Sequence, residues 1–242
     1  MIIINFFKDI KVSKYAYLIV FLSLITGQIK ELLGLLIIIL SHEFGHYFVS
    51  KIFNWKIDKI YLYPFGGLIK YNELIDKPFK EELLIAISGI LNQLLIYFIF
   101  LLLYKFNIIN NYFFNIIKNY NYSILLFNLI PIIPLDGSKI LNILLNKIFS
   151  FRKSYIILNI ISIILLIIFI FKSNISLLIV ILFLIYKIYL NIKNKDLIFN
   201  RFILEKYLYK DSYKKIYKIN SIKDMKRNRR NIKKHIIFNN MF

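Results

Sequence analysis

The hexapeptide SHEFGH, Ser41 to His46, ends the apolar run LLGLLIIIL, which contains no charge. Ionisable side chains placed inside a hydrocarbon-like run are costly and point to function. His42 and His46 are four residues apart, so on a helix they lie one turn apart on the same face and can reach one metal ion. Glu43 belongs to the same turn and is placed to reach a water rather than the metal. This is the HExxH pattern, whose chemistry is metal-assisted hydrolysis with the glutamate as general base. Two of the three histidines in the chain are used in it. A pair of packed core histidines would leave the intervening glutamate unexplained.

A catalytic zinc takes three protein ligands and keeps one position open. Cysteine is absent, so the third donor must be His, Asp or Glu. Of the 13 acidic residues, only Glu43 and Asp136 lie within or directly against the core of an apolar segment. An Asp before a Gly is also an ordinary turn residue. The otherwise two-ligand site makes Asp136 the natural third ligand, for one zinc per chain.

These residues must be positioned by membrane-embedded elements. The 242 residues are 59% hydrophobic with a mean hydropathy of +0.64, which excludes an ordinary soluble domain. The expected fold class is an all-α polytopic membrane protein. Six apolar segments, at about 15–29, 32–52, 83–104, 122–135, 155–171 and 175–192, read as about six transmembrane helices. Lys8, Lys11 and Lys14 ahead of the first imitate a signal peptide, but no small-residue cleavage site follows, so the span is read as uncleaved. Pro131 and Pro134 break the fourth segment, and the broken helix carries the third ligand. With the N-terminus inside, basic residues divide 29 to 4 between the two sides, which predicts cytosolic N- and C-termini.

The stretch KIDKIYLYPFGGLIKYNE, residues 56–73, alternates around Pro64, Gly66 and Gly67 and predicts a short β-hairpin with the glycines at the bend. Residues 1–192 form the expected membrane domain. Residues 193–242 form a short basic cytosolic tail, too short for a typical independent domain. The net charge of +20 and the run KRNRRNIKK in that tail suit anionic membrane lipid, and no nucleic-acid role is assigned.

Taken together, SHEFGH, the run NLIPIIPLDG with Asn128, Pro131, Pro134, Asp136 and Gly137, and YPFGGLI resemble the site-2 protease family of intramembrane zinc metalloproteases, over about residues 14–192. The resemblance implies that His42, His46 and Asp136 bind zinc, that Glu43 is catalytic, and that Asn128 handles substrate. Phe65, Gly66 and Gly67, with Pro131 and Pro134, are the other expected substrate-binding positions, the loop pairing with an unwound substrate as a strand. Six spans, an early HExxH and no PDZ domain look most like the sporulation branch of the family. That branch implies a membrane-associated substrate, the sigma-factor precursor pro-sigma-K, and membrane proteins that hold the enzyme inactive. In an endospore former the location would be the mother-cell membrane around the forespore. Another member of the family could instead act on an anti-sigma factor.

The sequence departs from the family's pattern at three places, one of them Ser138 where a second Gly often follows the Asp. The third span lacks the usual Gly-Pro before its Asn, with Asn92 and Gln93 at the polar positions. The tail is also too short for the nucleotide-sensing cystathionine-β-synthase-type domain of the sporulation branch. The rival from another class is a six-span metal or ion transporter, where intramembrane His, Glu and Asp would line an ion path. Such a path has no need for a Glu at the second position of HExxH.

Overall fold

The computed structural model describes residues 2–63, 66–172, 177–209, 213 and 215–233. The chain divides into two compact units, the first comprising Met1–Glu73, Lys80–Ile130 and Leu135–Gly137 and the second Leu74–Phe79, Pro131–Pro134 and Ser138–Phe242.

The first unit opens with helix α1 (Ile2–Asp9), strand β1 (Ile10–Val12) and helix α2 (Lys14–Ile25). Ser13 caps α2 by accepting the Ala16 N–H at 3.3 Å, which satisfies one of the donors a helix start leaves open. Helix α3 (Ile29–Ile52) follows, then strands β2 (Ile57–Tyr63) and β3 (Gly66–Tyr71) and helices α4 (Phe79–Lys105) and α5 (Asn111–Leu129). Asn110 caps α5 through the Phe113 N–H at 2.9 Å.

Around α3 the apolar side chains of Ile38, Ile39, Leu62, Ile117 and Ile124 form one core, joining α3, β2 and α5. Phe6, Tyr47 and Ile60 form another against α1. Half of the most apolar window of α3 is buried, against 28% for α4. A helix so enclosed can carry ionisable residues at membrane depth, because its inward face meets protein instead of lipid. On α4, Leu91, Leu94, Leu95, Phe98 and Leu102 stay exposed. An apolar surface that large suits contact with lipid.

β2 and β3 form the expected hairpin, paired antiparallel with Leu62 opposite Gly67 and Tyr63 opposite Gly66. The glycines therefore open β3 instead of making the bend, and Phe65 lies outside the described residues. The N-terminal strand was not expected. β1 pairs parallel with β2, Ile10 opposite Ile60, giving a three-stranded sheet in the order β1-β2-β3 with β3 at an edge.

The break near Pro131 and Pro134 is present. α5 ends at Leu129, the Ile133–Pro134 peptide is cis, and helix α6 (Asp136–Ile148) begins on Asp136 itself. Among the described residues, three helices are long and apolar enough to cross a membrane: Ile29–Ile52, Phe79–Lys105 and Phe151–Phe171. Within the first apolar segment, Ala16–Ile25 is shorter than a simple span.

The second unit contains helices α7 (Phe151–Lys172), α8 (Leu178–Lys193) and α9 (Lys195–Leu208), strands β4 (Ile216–Ile219) and β5 (Arg230–Lys233), and a short 3-10 turn between the strands. β4 and β5 pair in parallel. α7 and α8 are tied by polar contacts suited to helices in lipid: the Tyr155 hydroxyl donates to the Asn191 carbonyl at 2.5 Å, and Asn191 Nδ2 donates to Asn159 Oδ1 at 3.0 Å.

The residues expected to be a simple tail build a buried charge cluster with the segment Leu74–Phe79. Asp76 pairs with Lys206 and accepts the Asn228 N–H at 2.8 Å, while Glu205 Oε2 accepts the Ile75 and Asp76 N–H groups at 2.7 and 3.2 Å. The paired side chains of Lys206 and Asp76 are only 8% and 9% exposed. Burial pulls the Lys206 pKa below the ordinary lysine value, with Asp76 opposing it. Breaking a buried pair by removing one partner strands the other charge. Asp76→Ala should therefore destabilise the protein by about 3–5 kcal/mol, measured as lowered thermal unfolding in detergent. A shift below about 1 kcal/mol would show that the pair is solvated.

Candidate metal centre

α3 and the start of α6 place the titratable groups, and α4 supplies their partners. His42, Glu43, His46 and Asp136 are all buried, each 5% exposed or less. Asp136 Oδ2 lies 2.9 Å from His42 Nε2 and 2.9 Å from His46 Nε2, and the two Nε2 atoms are 3.0 Å apart. The three residues that the sequence analysis joined across ninety positions thus meet at one point. Among the described residues they form a group able to hold a metal ion.

Hydrogen bonds fix which nitrogen faces that point. His46 Nδ1 meets the Ile85 carbonyl at 2.6 Å, which can only accept, so Nδ1 carries the proton. Gln93 Nε2 donates to the Asn121 carbonyl at 2.7 Å, which turns Gln93 Oε1 toward His42 Nδ1 at 3.0 Å. His42 Nδ1 is then a donor as well. In the neutral imidazoles both Nε2 atoms therefore present lone pairs, and both face a carboxylate oxygen. Three acceptors at this spacing repel unless a cation lies among them. Two nitrogens and one carboxylate oxygen are a fit donor set for zinc. The outer partners are of the kind that orient metal-binding histidines.

Three glycines make the approach possible. A Cβ on Gly89 would strike the His46 ring, and one on Gly67 would strike the Glu43 carboxylate. On Gly137 it would run into the Leu129 carbonyl and lie 2.7 Å from the Ile130 oxygen, so only glycine lets α6 start directly against the end of α5. Glu43 consequently sits beneath the first residues of β3, one residue from His42. The Asn92 side chain binds the α3 backbone instead, donating to the Ser41 carbonyl at 2.6 Å. This resolves the departure on the third span: Gln93 supports His42, and Asn92 ties α4 to α3.

Asn128 lies half-buried in the last turn of α5, and Gly66 and Gly67 begin β3. Pro131 and Pro134 belong to the second unit, in which Ile133 N–H donates to Ser162 Oγ at 3.3 Å. Sequence reasoning did not identify Gln93, Asn121 or the Ile85 carbonyl as partners. The only signal was a polar pair inside an apolar helix, Asn92-Gln93.

Comparison with known proteins agrees with this geometry. Residues 30–111, which include SHEFGH, match the model of peptidase family M50. Stage IV sporulation protein FB of Bacillus subtilis is 36% identical over 146 residues, 60% of this chain and 51% of that protein. A zinc metalloprotease of Methanocaldococcus jannaschii is 35% identical over 123 residues, 50% of this chain and 35% of that protein. The match thus spans about half or less of the length of these curated relatives. The solved site-2 protease from Methanocaldococcus jannaschii superposes with a TM-score of 0.59 at 29% identity, covering 75% of this chain and 89% of that one. The resemblance to site-2 proteases read from the sequence is thereby supported by family, relatives and structure.

Gln93→Leu removes the acceptor that fixes the His42 tautomer and leaves the Asn121 carbonyl without its donor. Metal affinity should fall by about 10–100-fold, read by competition with a chelator of known affinity. Unchanged affinity would show that the amide does not orient His42.

Proposed function

We propose that this chain is an intramembrane zinc metalloprotease of the site-2 type, with His42, His46 and Asp136 as the zinc ligands and Glu43 as the general base. The observation that carries the reading is the convergence of the three acceptors at 2.9–3.0 Å with a buried carboxylate beside them in the same helical turn. The match to peptidase family M50 and the likeness to named metalloproteases support it.

Bound there, zinc supplies Lewis acidity toward a scissile carbonyl and lowers the pKa of water. Glu43 takes the proton from the attacking water and delivers it to the departing amine. Its position under β3 ties the reacting centre to a strand edge. A substrate helix hides its carbonyls in its own hydrogen bonds and must unwind before attack. Once extended, it can add to the edge of β3 by backbone pairing. Gly66 and Gly67 allow that backbone to approach Glu43 closely. Asn128, in the last turn of α5, offers an amide to the same extended segment, and Pro131 and Pro134 keep the short stretch between α5 and α6 out of a helix.

The finer reading is a six-span protein with both ends in the cytosol, residues 1–192 as its membrane domain and 193–242 as a cytosolic segment. Its membrane-associated substrate is a sporulation sigma-factor precursor of the pro-sigma-K kind. The similarity to Stage IV sporulation protein FB supports that choice.

Co-expression with such a precursor tests both levels. Wild type should cleave it, and Glu43→Gln should lower cleavage by at least about a hundredfold while purified protein still retains zinc. Asp136→Asn should lower zinc occupancy and turnover together. Cleavage that survives Glu43→Gln sinks the proposed chemistry. Cleavage of an anti-sigma factor in place of the precursor would correct the substrate alone.

A further inference from the structure

The second unit holds a cavity of about 340 Å³ whose wall includes Asn146, Lys147, Lys215, Lys226, Arg227 and Arg229. Five of these six are cationic, and no lining residue is acidic. Arg227 Nε lies 3.9 Å from Asp76, a carboxylate already engaged by Lys206 and by the Asn228 N–H. Lys226 Nζ donates to the Ile148 carbonyl at 2.6 Å and lies 4.8 Å over the Tyr217 ring, and neither partner is an anion. Among the described residues no carboxylate pairs with Lys147, Lys215 or Arg229. Cations collected on one wall raise the local potential and attract an anion into the space between them.

A second, independent feature narrows the anion. Asn146 is 1% exposed, and its Nδ2 donates to the carbonyl and Oδ1 of Asn142, each at 2.8 Å. That leaves Asn146 Oδ1, a buried acceptor, without a hydrogen-bond partner among the described residues. Buried polar groups in native proteins are normally paired. A lone acceptor on a cationic wall fits a ligand that brings a hydroxyl donor next to its negative charge. A phosphate ester of a polyol carries both groups.

The cavity's place in the chain indicates the source of that ester. Asn146 and Lys147 close α6, and Phe151 opens α7, whose 21-residue stretch Phe151–Phe171 is apolar enough to span a membrane. Such a helix is about 31 Å long, close to the thickness of the hydrocarbon core. The Phe151 N–H donates to the Met225 carbonyl at 2.9 Å, which holds the basic segment 226–229 at that end of the span. Phospholipid headgroups lie at that depth, and clustered Lys and Arg beside a span bind anionic ones.

We propose that this cavity binds the headgroup of an anionic phospholipid whose phosphate carries a hydroxylated alcohol, as in phosphatidylglycerol. Lys147, Lys215 and Arg229 hold the phosphate, and Asn146 Oδ1 accepts from the headgroup hydroxyl. A soluble glycerol phosphate offers the same groups, so the test separates the two sources. Full-length protein in phosphatidylcholine nanodiscs is titrated with short-chain phosphatidylglycerol, with phosphatidylmethanol, which lacks the hydroxyls, or with glycerol 3-phosphate. Bound ligand is read by native mass spectrometry.

Wild type should retain one phosphatidylglycerol per chain, and Lys215→Ala/Arg229→Ala should weaken it by about tenfold or more. Asn146→Leu should abolish the preference for phosphatidylglycerol over phosphatidylmethanol. Unchanged zinc content and far-UV circular dichroism show that the variants are folded. Glycerol 3-phosphate binding as tightly as the lipid overturns the headgroup assignment in favour of a soluble ester. Equal binding by wild type and the double variant, or no preference over phosphatidylcholine, overturns the site.

Discussion

Three lone pairs held 2.9–3.0 Å apart inside protein are the constraint on which the first unit depends. Two imidazoles and a carboxylate so arranged are unstable together unless a cation sits among them or the protein restrains them. The restraint is visible on the far side of each ring, where Ile85 and Gln93 fix both tautomers. Gln93 is in turn held by a reciprocal pair with Asn121, whose Nδ2 donates to the Gln93 carbonyl at 3.1 Å. A network of this kind works only when complete, since an unpaired buried amide costs more than an apolar replacement. Its completeness ties the register of α4 and α5 to the orientation of one histidine on α3.

Close approach is the other half of the same constraint. α4 must pass near enough to α3 for Ile85 and Gln93 to reach the rings. A Cβ on Gly45 would strike the Ser88 carbonyl and lie 2.8 Å from Asn92 Cβ. Gly89 provides the matching space for His46. Small residues at such crossings are the usual means by which membrane helices bring polar groups into contact. At Gly67 the tight partner is the Glu43 carboxylate, so this close approach serves the proposed chemistry more directly than the fold. Of the seven glycines in the chain, Gly45, Gly67, Gly89 and Gly137 stand at these contacts and mark the positions where a side chain is excluded.

How much of this was legible in the sequence follows from the range of each interaction. His42, Glu43 and His46 were readable because helical periodicity alone puts them on one turn. Asp136 was readable by elimination, since few acidic residues adjoin an apolar segment. Gln93 and Asn121 were not, because the first can only be assigned once the register between helices is known. The parallel pairing of β1 with β2 was hidden for a similar reason: three residues between two helices carry no usable alternation. The hairpin was visible, yet its bend was misplaced onto Gly66 and Gly67. At Gly67 glycine is required by the Glu43 carboxylate beneath it, whereas a Cβ on Gly66 would meet open space. The basic tail was read as a cytosolic segment suited to anionic lipid, and its buried order depends on Asp76, more than a hundred positions earlier.

That last pairing has a structural consequence of its own. Leu74–Phe79 follows β3 in the chain and leads directly into α4, so it joins the strand that covers Glu43 to the helix that supports His42. A short connector between two such elements would ordinarily be a solvated loop. Here its backbone donors go to Glu205, its carboxylate to Lys206 and Asn228, and the Asp76 carbonyl accepts from the Tyr213 hydroxyl at 2.6 Å. The Arg227 guanidinium lies 5.2 Å over the Phe79 ring, and the Lys77 carbonyl accepts from Asn228 Nδ2 at 3.0 Å. Several of these bonds involve a charged group, the class of hydrogen bond that is strongest when buried. The chain thus commits charged residues from its last fifty positions to fixing six residues between a strand and a helix.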